Sequence, residues 1–124
     1  MQAVFVVDDE YLIASTLVLI LNQSGFAATA FASPLKAIEA AETQCPDIVI
    51  ADVQLPEMNG IELAIHFCKH FPECKMLIIS GQVCTGDLLA SAHAVGNQFE
   101  VLAKPFHPND LLATLERLYA KTSR

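Results

Sequence analysis

The sequence lacks tryptophan, has few basic residues and contains no long hydrophobic run. Seven Lys and Arg residues stand against 14 Asp and Glu in 124 residues, a formal net charge of -7. A phosphate backbone selects a basic surface, so this charge argues against direct nucleic-acid binding and against an anionic membrane as a partner. No apolar run approaches the roughly 18 residues of a membrane span, and the N-terminal MQAVFVVDDE does not resemble a secretory signal. We therefore expect a cytoplasmic protein.

The cysteines form no Cys-x-x-Cys motif. We interpret all four as reduced, small and buried apolar residues: Cys45, Cys68, Cys74 and Cys84. The segment HFCKHFPEC leaves one alternative, because His66 and His70 have the spacing of two metal ligands on one helix face. A structural metal site needs four converging ligands, and Pro72 is predicted to end that helix before Cys74. A metal site in this segment is therefore not the preferred interpretation.

Hydrophobic periodicity divides the chain into alternating strands and helices. The predicted strands are Val4 to Val7, Ala27 to Phe31, Ile48 to Ala51, Met76 to Ser80 and Glu100 to Ala103. The predicted helices run from Leu12 to near Gly25, from Ser33-Pro34 to about Thr43, from Ile61 to about Phe71, from Asp87 to Val95, and onward from Pro108. This alternation implies a parallel sheet that helices cover on both faces. We predict one α/β domain over residues 1–124, a doubly wound, flavodoxin-like (βα)5 fold with a five-stranded parallel sheet.

Polar residues follow or end four of the predicted strands: Asp8 and Asp9 the first, Asp52 the third, Ser80 the fourth and Lys104 the fifth. In an open parallel sheet the carboxyl ends of the strands share one edge, and ligands bind there. The carboxylates would repel one another at this edge unless a cation were present, and oxygen ligands suit Mg²⁺. Lys104 and the hydroxyl of Ser80 would complement a phosphoryl group. The edge is therefore predicted to serve phosphoryl transfer.

Each of these residues also has an ordinary structural explanation. The acids after the first strand could begin a helix, Asp52 could cap a turn, Ser80 could be a loop hydroxyl and Lys104 a surface lysine. Their shared position at strand ends favours the functional interpretation.

The motifs at these strand ends resemble those of a response-regulator receiver domain of two-component signalling, in the CheY-like superfamily. The resemblance extends from VFVVDDE through DVQLPEMNG and LIISG to LAKPF. It implies that Asp52 is the phosphoacceptor. It also implies the metal ligands, which are the carboxylates of Asp9 and Asp52 and the backbone carbonyl of Gln54, with Asp8 acting partly through water. Lys104 would contact the phosphoryl group, and Ser80 would be the hydroxyl that follows it.

The resemblance implies partners as well. The phosphoryl donor would be a sensor histidine kinase or a phosphotransfer protein, and phosphorylation would change the surface that the domain offers to other proteins. The recipient would be a downstream protein or an output domain outside this sequence. We expect no turnover of a separate substrate, and a weak homodimer on phosphorylation that uses the fourth predicted helix, the fifth strand and the last helix.

One departure from the family pattern keeps an alternative open. The family usually carries Tyr or Phe three residues before the lysine, whereas Val101 stands there in this chain. A receiver-like interaction module that works without phosphorylation is therefore an alternative. A Mg²⁺-dependent phosphatase of related topology is disfavoured, because Asp8-Asp9-Glu10 lacks its Asp-x-Asp spacing. A flavin or nucleotide binder is disfavoured because acids stand where its phosphate-binding loop would need Gly and hydroxyl groups.

Overall fold

The computed structural model describes residues 2–80, 100–104 and 106–122. Its strands are β1 (Ala3–Val7), β2 (Ala27–Phe31), β3 (Ile48–Asp52), β4 (Lys75–Ser80) and β5 (Glu100–Ala103). They form one five-stranded sheet in the order β2-β1-β3-β4-β5, and every neighbouring pair is parallel. The predicted doubly wound parallel sheet is confirmed.

Four helices lie in the described residues: α1 (Tyr11–Gln23), α2 (Pro34–Thr43), α3 (Gly60–His70) and α4 (Pro108–Thr122). The predicted helix from Asp87 to Val95 lies outside the described residues. In the described part of the chain, no helix has the length and hydropathy of a membrane span.

Local side chains explain where the helices begin and end. Pro34 is the first residue of α2, where its missing N–H costs nothing, and Ser33 precedes it as the N-cap. Gly25 follows α1 with φ +95°, a conformation that favours glycine. Asn59 caps α3 reciprocally with Glu62, because each side chain accepts a hydrogen bond from the other residue's backbone N–H, at 2.8 and 2.9 Å.

Consecutive residues of β3 belong to two separate hydrophobic layers. Val49 and Ala51 pack in the layer that includes buried residues of α2 and α3. Ile48 and Ile50 pack in the layer that includes buried residues of α1 and α4. All four side chains are at most 1% exposed, as a continuous apolar run predicts for a central strand covered on both faces.

The bounds of β2 and β5 are as predicted, whereas β1, β3 and β4 each begin or end one residue away from the prediction. The difference in β3 concerns the site. Asp52 is the last residue of β3 rather than the first after it, because it pairs with Ile79 of β4. The ladder continues one step beyond it, since the backbone N–H of Val53 donates to the carbonyl of Ile79 at 3.1 Å. The hydrogen bonds of the sheet therefore fix the backbone of Asp52.

The interpretation of the cysteines holds only in part. Cys74 is buried and Cys68 is half-buried, but Cys45 is exposed, so the interpretation was wrong for Cys45. Cys45 lies in the connection between α2 and β3, and such connecting segments usually run over the protein surface. Cys84 lies outside the described residues.

The His66 and His70 rings do share a face of α3, with their centroids 4.3 Å apart. Within residues 2–80, 100–104 and 106–122, no three His, Cys, Asp or Glu side chains come together as a metal-binding group.

Candidate functional site

The carboxyl ends of β3 and β5 bring Asp52 and Lys104 into direct contact. The Nζ atom of Lys104 donates to Oδ2 of Asp52 at 2.7 Å. The backbone N–H of Gln54 donates to Oδ1 of the same carboxylate at 3.1 Å. Each oxygen of Asp52 thus has a donor, while the side chain keeps 12% of its surface open to solvent. The carboxylate is oriented and still accessible.

Asp8 lies at the same edge but is buried, with 5% of its surface exposed. Its Oδ1 accepts a hydrogen bond from the backbone N–H of Glu10 at 2.9 Å. Burial raises the pKa of Asp8 above its ordinary value; the Glu10 hydrogen bond lowers it in part, and the negative charge of Asp52 raises it further. The positive charge of Lys104 offsets part of this effect, so Asp8 is less readily ionised than an exposed aspartate.

Lys104 provides the positive charge at this edge. Its partial burial disfavours the charged form, but the hydrogen bond and the attraction to Asp52 outweigh this effect, so the pKa of Lys104 is raised. The ammonium group therefore remains charged at neutral pH, as a group that neutralises phosphoryl oxygens must.

The other predicted site residues are placed less completely. Asp9 is exposed, and its charge contributes to the raised pKa of Asp8. Ser80 ends β4 opposite Ala103, but its side chain lies outside the described part of the structure. Val101 is half-buried and packs against the layer of α2 and α3. The described side chains thus bring Asp8, Asp52 and Lys104 together, with Asp9 nearby.

Gly60 is a site residue that the sequence reasoning missed. A Cβ atom on Gly60 would lie 2.2 Å from the carbonyl oxygen and 2.9 Å from the carbonyl carbon of Asp52. The backbone N–H of Gly60 donates to the carbonyl of Val53 at 2.8 Å. The first turn of α3 therefore packs directly on the backbone of Asp52. The Asn-x-x-Glu pattern at Asn59 could have located this helix start from the sequence.

A pocket of about 290 Å³ adjoins the edge on the side of α1. It is lined by Asp8, Ile13, Leu17, Ile79, Lys104 and Phe106. The pocket is apolar apart from these two charged site residues, so it has room for a largely apolar group beside Asp8 and Lys104.

The candidate metal-ligand atoms at this edge suit Mg²⁺ better than a softer metal. The candidate ligands of Asp8, Asp9, Asp52 and Gln54 are all oxygens, and hard oxygen ligands suit Mg²⁺. Burial disfavours the ionised form of Asp8 despite the attraction of Lys104, and a bound cation would stabilise that form. Among the described residues, no three His, Cys, Asp or Glu side chains converge on one point. Mg²⁺ does not need such a group, because it usually binds only one or two protein carboxylates and keeps several waters.

The fold and this edge are those of a class of α/β domain that comparison with known families identifies. The family model of the response regulator receiver domain matches residues 4–116, so the chain belongs to this family. Its members are signalling domains of two-component systems rather than enzymes that turn over a separate substrate.

Three known proteins illustrate the relationship. The chain is 32% identical to the transcriptional regulatory protein CreB of Escherichia coli. The similarity covers 99% of this chain but only 53% of CreB, so the chain spans about half the length of that relative. It is 28% identical to the response regulator receiver protein CpdR of Brucella abortus, covering 95% of this chain and 97% of CpdR. The solved structure of the response regulator TrrA of Thermotoga maritima, in complex with Mg²⁺ and BeF, superposes with a TM-score of 0.82 at 24% identity, covering 95% of this chain and 99% of TrrA. The likeness to TrrA concerns the fold.

Proposed function

We propose that this receiver domain accepts a phosphoryl group on Asp52, in the presence of Mg²⁺, from a sensor histidine kinase or a phosphotransfer protein. The observation that carries the proposal is the contact of Asp52 with Lys104, made at the carboxyl edge of the sheet beside the buried Asp8. A nucleophile, a cation for the transferred oxygens and an additional carboxylate lie together, which is the set that phosphoryl transfer to a carboxylate needs.

In the proposed reaction, one oxygen of Asp52 forms a bond to the phosphorus of a phosphohistidine while the bond from phosphorus to the imidazole nitrogen breaks. The electron pair of that bond returns to the nitrogen, and the histidine leaves as neutral imidazole when its other nitrogen carries a proton. Lys104 leaves the Asp52 carboxylate and neutralises an oxygen of the transferred group. Because a carboxylate is a weak nucleophile, the rate depends on alignment and charge neutralisation.

Asp9, Asp52 and the carbonyl of Gln54 would hold Mg²⁺, with Asp8 acting partly through water. The ion would supply charge neutralisation on the phosphoryl oxygens. The position of the buried Asp8 carboxylate close to Asp52 supports this assignment, because both carboxylates would attract a cation at this edge.

We further propose that residues 1–124 form one receiver domain whose output is a changed protein-binding surface. The recipient is a downstream protein or an output domain outside this sequence; CreB and CpdR, of which the chain spans 53% and 97%, illustrate the two cases. A weak homodimer on phosphorylation, formed through the region of β5 and α4, belongs to this proposal. So does a cytoplasmic location, because the ATP that a kinase uses is cytoplasmic.

Val101 favours a second candidate function. It lies in register with Ile78 and packs against the core, where the family usually carries an aromatic ring coupled to the hydroxyl at the position of Ser80. Without that ring, the domain could bind its partner equally in both states. Equal partner affinity before and after phosphorylation would support this interaction module.

The test is phosphorylation of the purified chain by a small acyl phosphate, followed by intact-mass spectrometry. We expect one added phosphoryl group with Mg²⁺, none after chelation with EDTA, and none in Asp52→Asn. Asp110→Asn is the matched control, because Asp110 is an exposed acid in the first turn of α4, and it should be labelled like the wild type. Continued labelling of Asp52→Asn would remove Asp52 as the phosphoacceptor.

A further inference from the structure

Two cysteines come together at the amino ends of β3 and β4, at the edge of the sheet opposite the candidate site. Cys45 is exposed in the connection that leads into β3, and Cys74 directly precedes β4 with 4% of its surface exposed. The strands begin in register, because Ile48 pairs with Lys75 and the backbone N–H of Lys75 donates to the carbonyl of Asp47 at 3.0 Å. Parallel pairing therefore places the two cysteine-bearing segments side by side.

The two thiols lie within hydrogen-bonding reach of each other. Each also donates to a carbonyl in its own segment, Cys45 to that of Pro46 at 3.4 Å and Cys74 to that of Lys75 at 3.7 Å. Neither cysteine belongs to a helix or a strand. Both segments can therefore adjust to the geometry of a bond between the sulfurs without breaking the hydrogen bonds of the sheet.

The unequal exposure of the two thiols gives each a different role. An exposed thiol reacts with a disulfide from solution, whereas a buried thiol reaches only a sulfur that is held beside it. Redox-sensitive sites of proteins often pair an accessible cysteine with a second one that resolves the first product. We propose that Cys45 and Cys74 are a reversible oxidation site, in which glutathione disulfide is the oxidant and Cys45 reacts first.

The proposed oxidation takes two exchanges between a thiol and a disulfide. In the first, the thiolate of Cys45 forms a bond to one sulfur of glutathione disulfide, and the bond between the two glutathione sulfurs breaks. In the second, the thiolate of Cys74 attacks the Cys45 sulfur, and the remaining glutathione leaves. The two protein thiols give up two protons and two electrons, which the two glutathione thiols take up.

The surroundings of the two cysteines make this reaction slow. Burial raises the pKa of Cys74, and the neighbouring thiols of Cys45 and Cys68 add to this effect. Burial and then the negative charge of Asp47 raise the pKa of Cys45. Few of the thiols are ionised at neutral pH, so the disulfide forms over minutes to hours rather than seconds. A reducing glutathione pool keeps the pair as thiols, and an excess of glutathione disulfide oxidises it.

Cys68 is the competing partner for Cys74. It is half-buried on α3, where the hydrogen bonds of the helix fix its backbone. Cys45 is more exposed and lies in a connection that can adjust, so the structure favours Cys45 as the partner.

The disulfide would close the segment of chain that contains β3, α3 and Asp52. Closing a loop of this length restricts the unfolded chain and stabilises the fold. We expect oxidation to raise the midpoint of thermal unfolding by about 5–10 °C, and a reductant to reverse this shift. The two cysteines lie at the opposite end of the strands from Asp52 and Lys104, so the inference does not depend on the proposed function.

The experiment is incubation of the reduced chain with excess glutathione disulfide, followed by intact-mass spectrometry. The wild type should lose two hydrogen atoms and hold no glutathione on Cys45 or Cys74. Trypsin without reductant should then release residues 37–69, which contain Cys45, linked to residues 70–75, which contain Cys74. Cys45→Ser should abolish the link, and Cys74→Ala should hold one glutathione on Cys45. Cys68→Ser is the matched control, because residues 37–69 also contain Cys68, and it should be oxidised like the wild type.

Three outcomes would overturn the proposal. The wild type could keep both thiols reduced or retain a glutathione on Cys45. The two peptides could stay linked in Cys45→Ser, which would make Cys68 the partner of Cys74. The disulfide could also join two copies of the chain, which a non-reducing gel would show as a dimer. Thermal unfolding of each reduced variant verifies that it is folded, and Cys45→Ser, which changes only an exposed side chain, decides the question if Cys74→Ala does not fold.

Discussion

Replacement of Gly60 by alanine tests whether the start of α3 positions Asp52. The added methyl group would lie 2.2 Å from the carbonyl oxygen of Asp52 and 3.1 Å from the Cα atom of Val53. An ordinary contact between such atoms is about 3.5 Å, so the two backbone segments must separate by about 1 Å. Neither backbone segment can move easily, because Asp52 belongs to a central strand and the capping box fixes the start of α3.

The expected effects follow from this displacement. Overpacking of a close contact costs about 1–3 kcal/mol of the free energy of unfolding. A shift of about 1 Å in a reacting group can lower a rate by on the order of 100-fold. We therefore expect Gly60→Ala to reduce stability in urea and to slow phosphorylation of Asp52 by an acyl phosphate by about 10- to 100-fold under conditions where the variant remains folded.

Gly25→Ala is the matched control. Gly25 has φ +95°, and a Cβ atom there would meet nothing within 4 Å, so alanine introduces backbone strain of about 1–2 kcal/mol without a collision. This variant should lose comparable stability and retain the wild-type phosphorylation rate. Equal slowing of both variants would attribute the effect to stability alone. A wild-type rate in a destabilised Gly60→Ala would mean that α3 moves while Asp52 stays, and the positioning argument would fail.

Three further substitutions test other parts of the structure by urea unfolding. Asp8→Asn should stabilise the Mg²⁺-free protein by about 1 kcal/mol, because it removes a buried charge and keeps the acceptor for the backbone N–H of Glu10; reduced stability would contradict this. Asn59→Ala removes the cap of α3 and should cost about 1 kcal/mol, whereas an unchanged midpoint would mean that water replaces the cap. Asn22 accepts a hydrogen bond from the backbone N–H of Ala28 at the outer edge of β2, at 2.9 Å, so Asn22→Ala should cost about 1 kcal/mol and increase light scattering. Asn22→Asp keeps the acceptor and should show neither change.

The sheet could be predicted from the sequence because its central strands are short, continuous apolar runs. Val4 to Val7 and Ile48 to Ala51 have no polar residue, which is typical of strands covered on both faces, and the structure buries every one of these residues. Once the strands are parallel, their carboxyl ends share one edge. This rule brought Asp52 and Lys104 together although they are 52 residues apart in the sequence.

The finer arrangement of the site could not be predicted, because it depends on contacts between elements. Asp8 and Asp9 are adjacent acids, yet one is buried and the other exposed, a difference that depends on where each side chain points as the chain leaves β1. The role of Gly60 depends on its distance from Asp52, eight residues earlier. Periodicity likewise describes residues within elements and gives no information on Cys45, which lies between two of them.

The alternation of β3 between two hydrophobic layers separates the energetics of neighbouring residues. Ile50→Val would remove a methyl group from the layer of α1 and α4, and Val49→Ala would remove two from the layer of α2 and α3. In a double-mutant cycle, residues without shared partners show little coupling, so these two sequence neighbours should behave as independent sites. Each layer can then accumulate compensating substitutions without affecting the other. The residues at the carboxyl edge come from the ends of several strands, which both layers hold in place. At this edge, a substitution in one layer therefore requires a compensating substitution in the other.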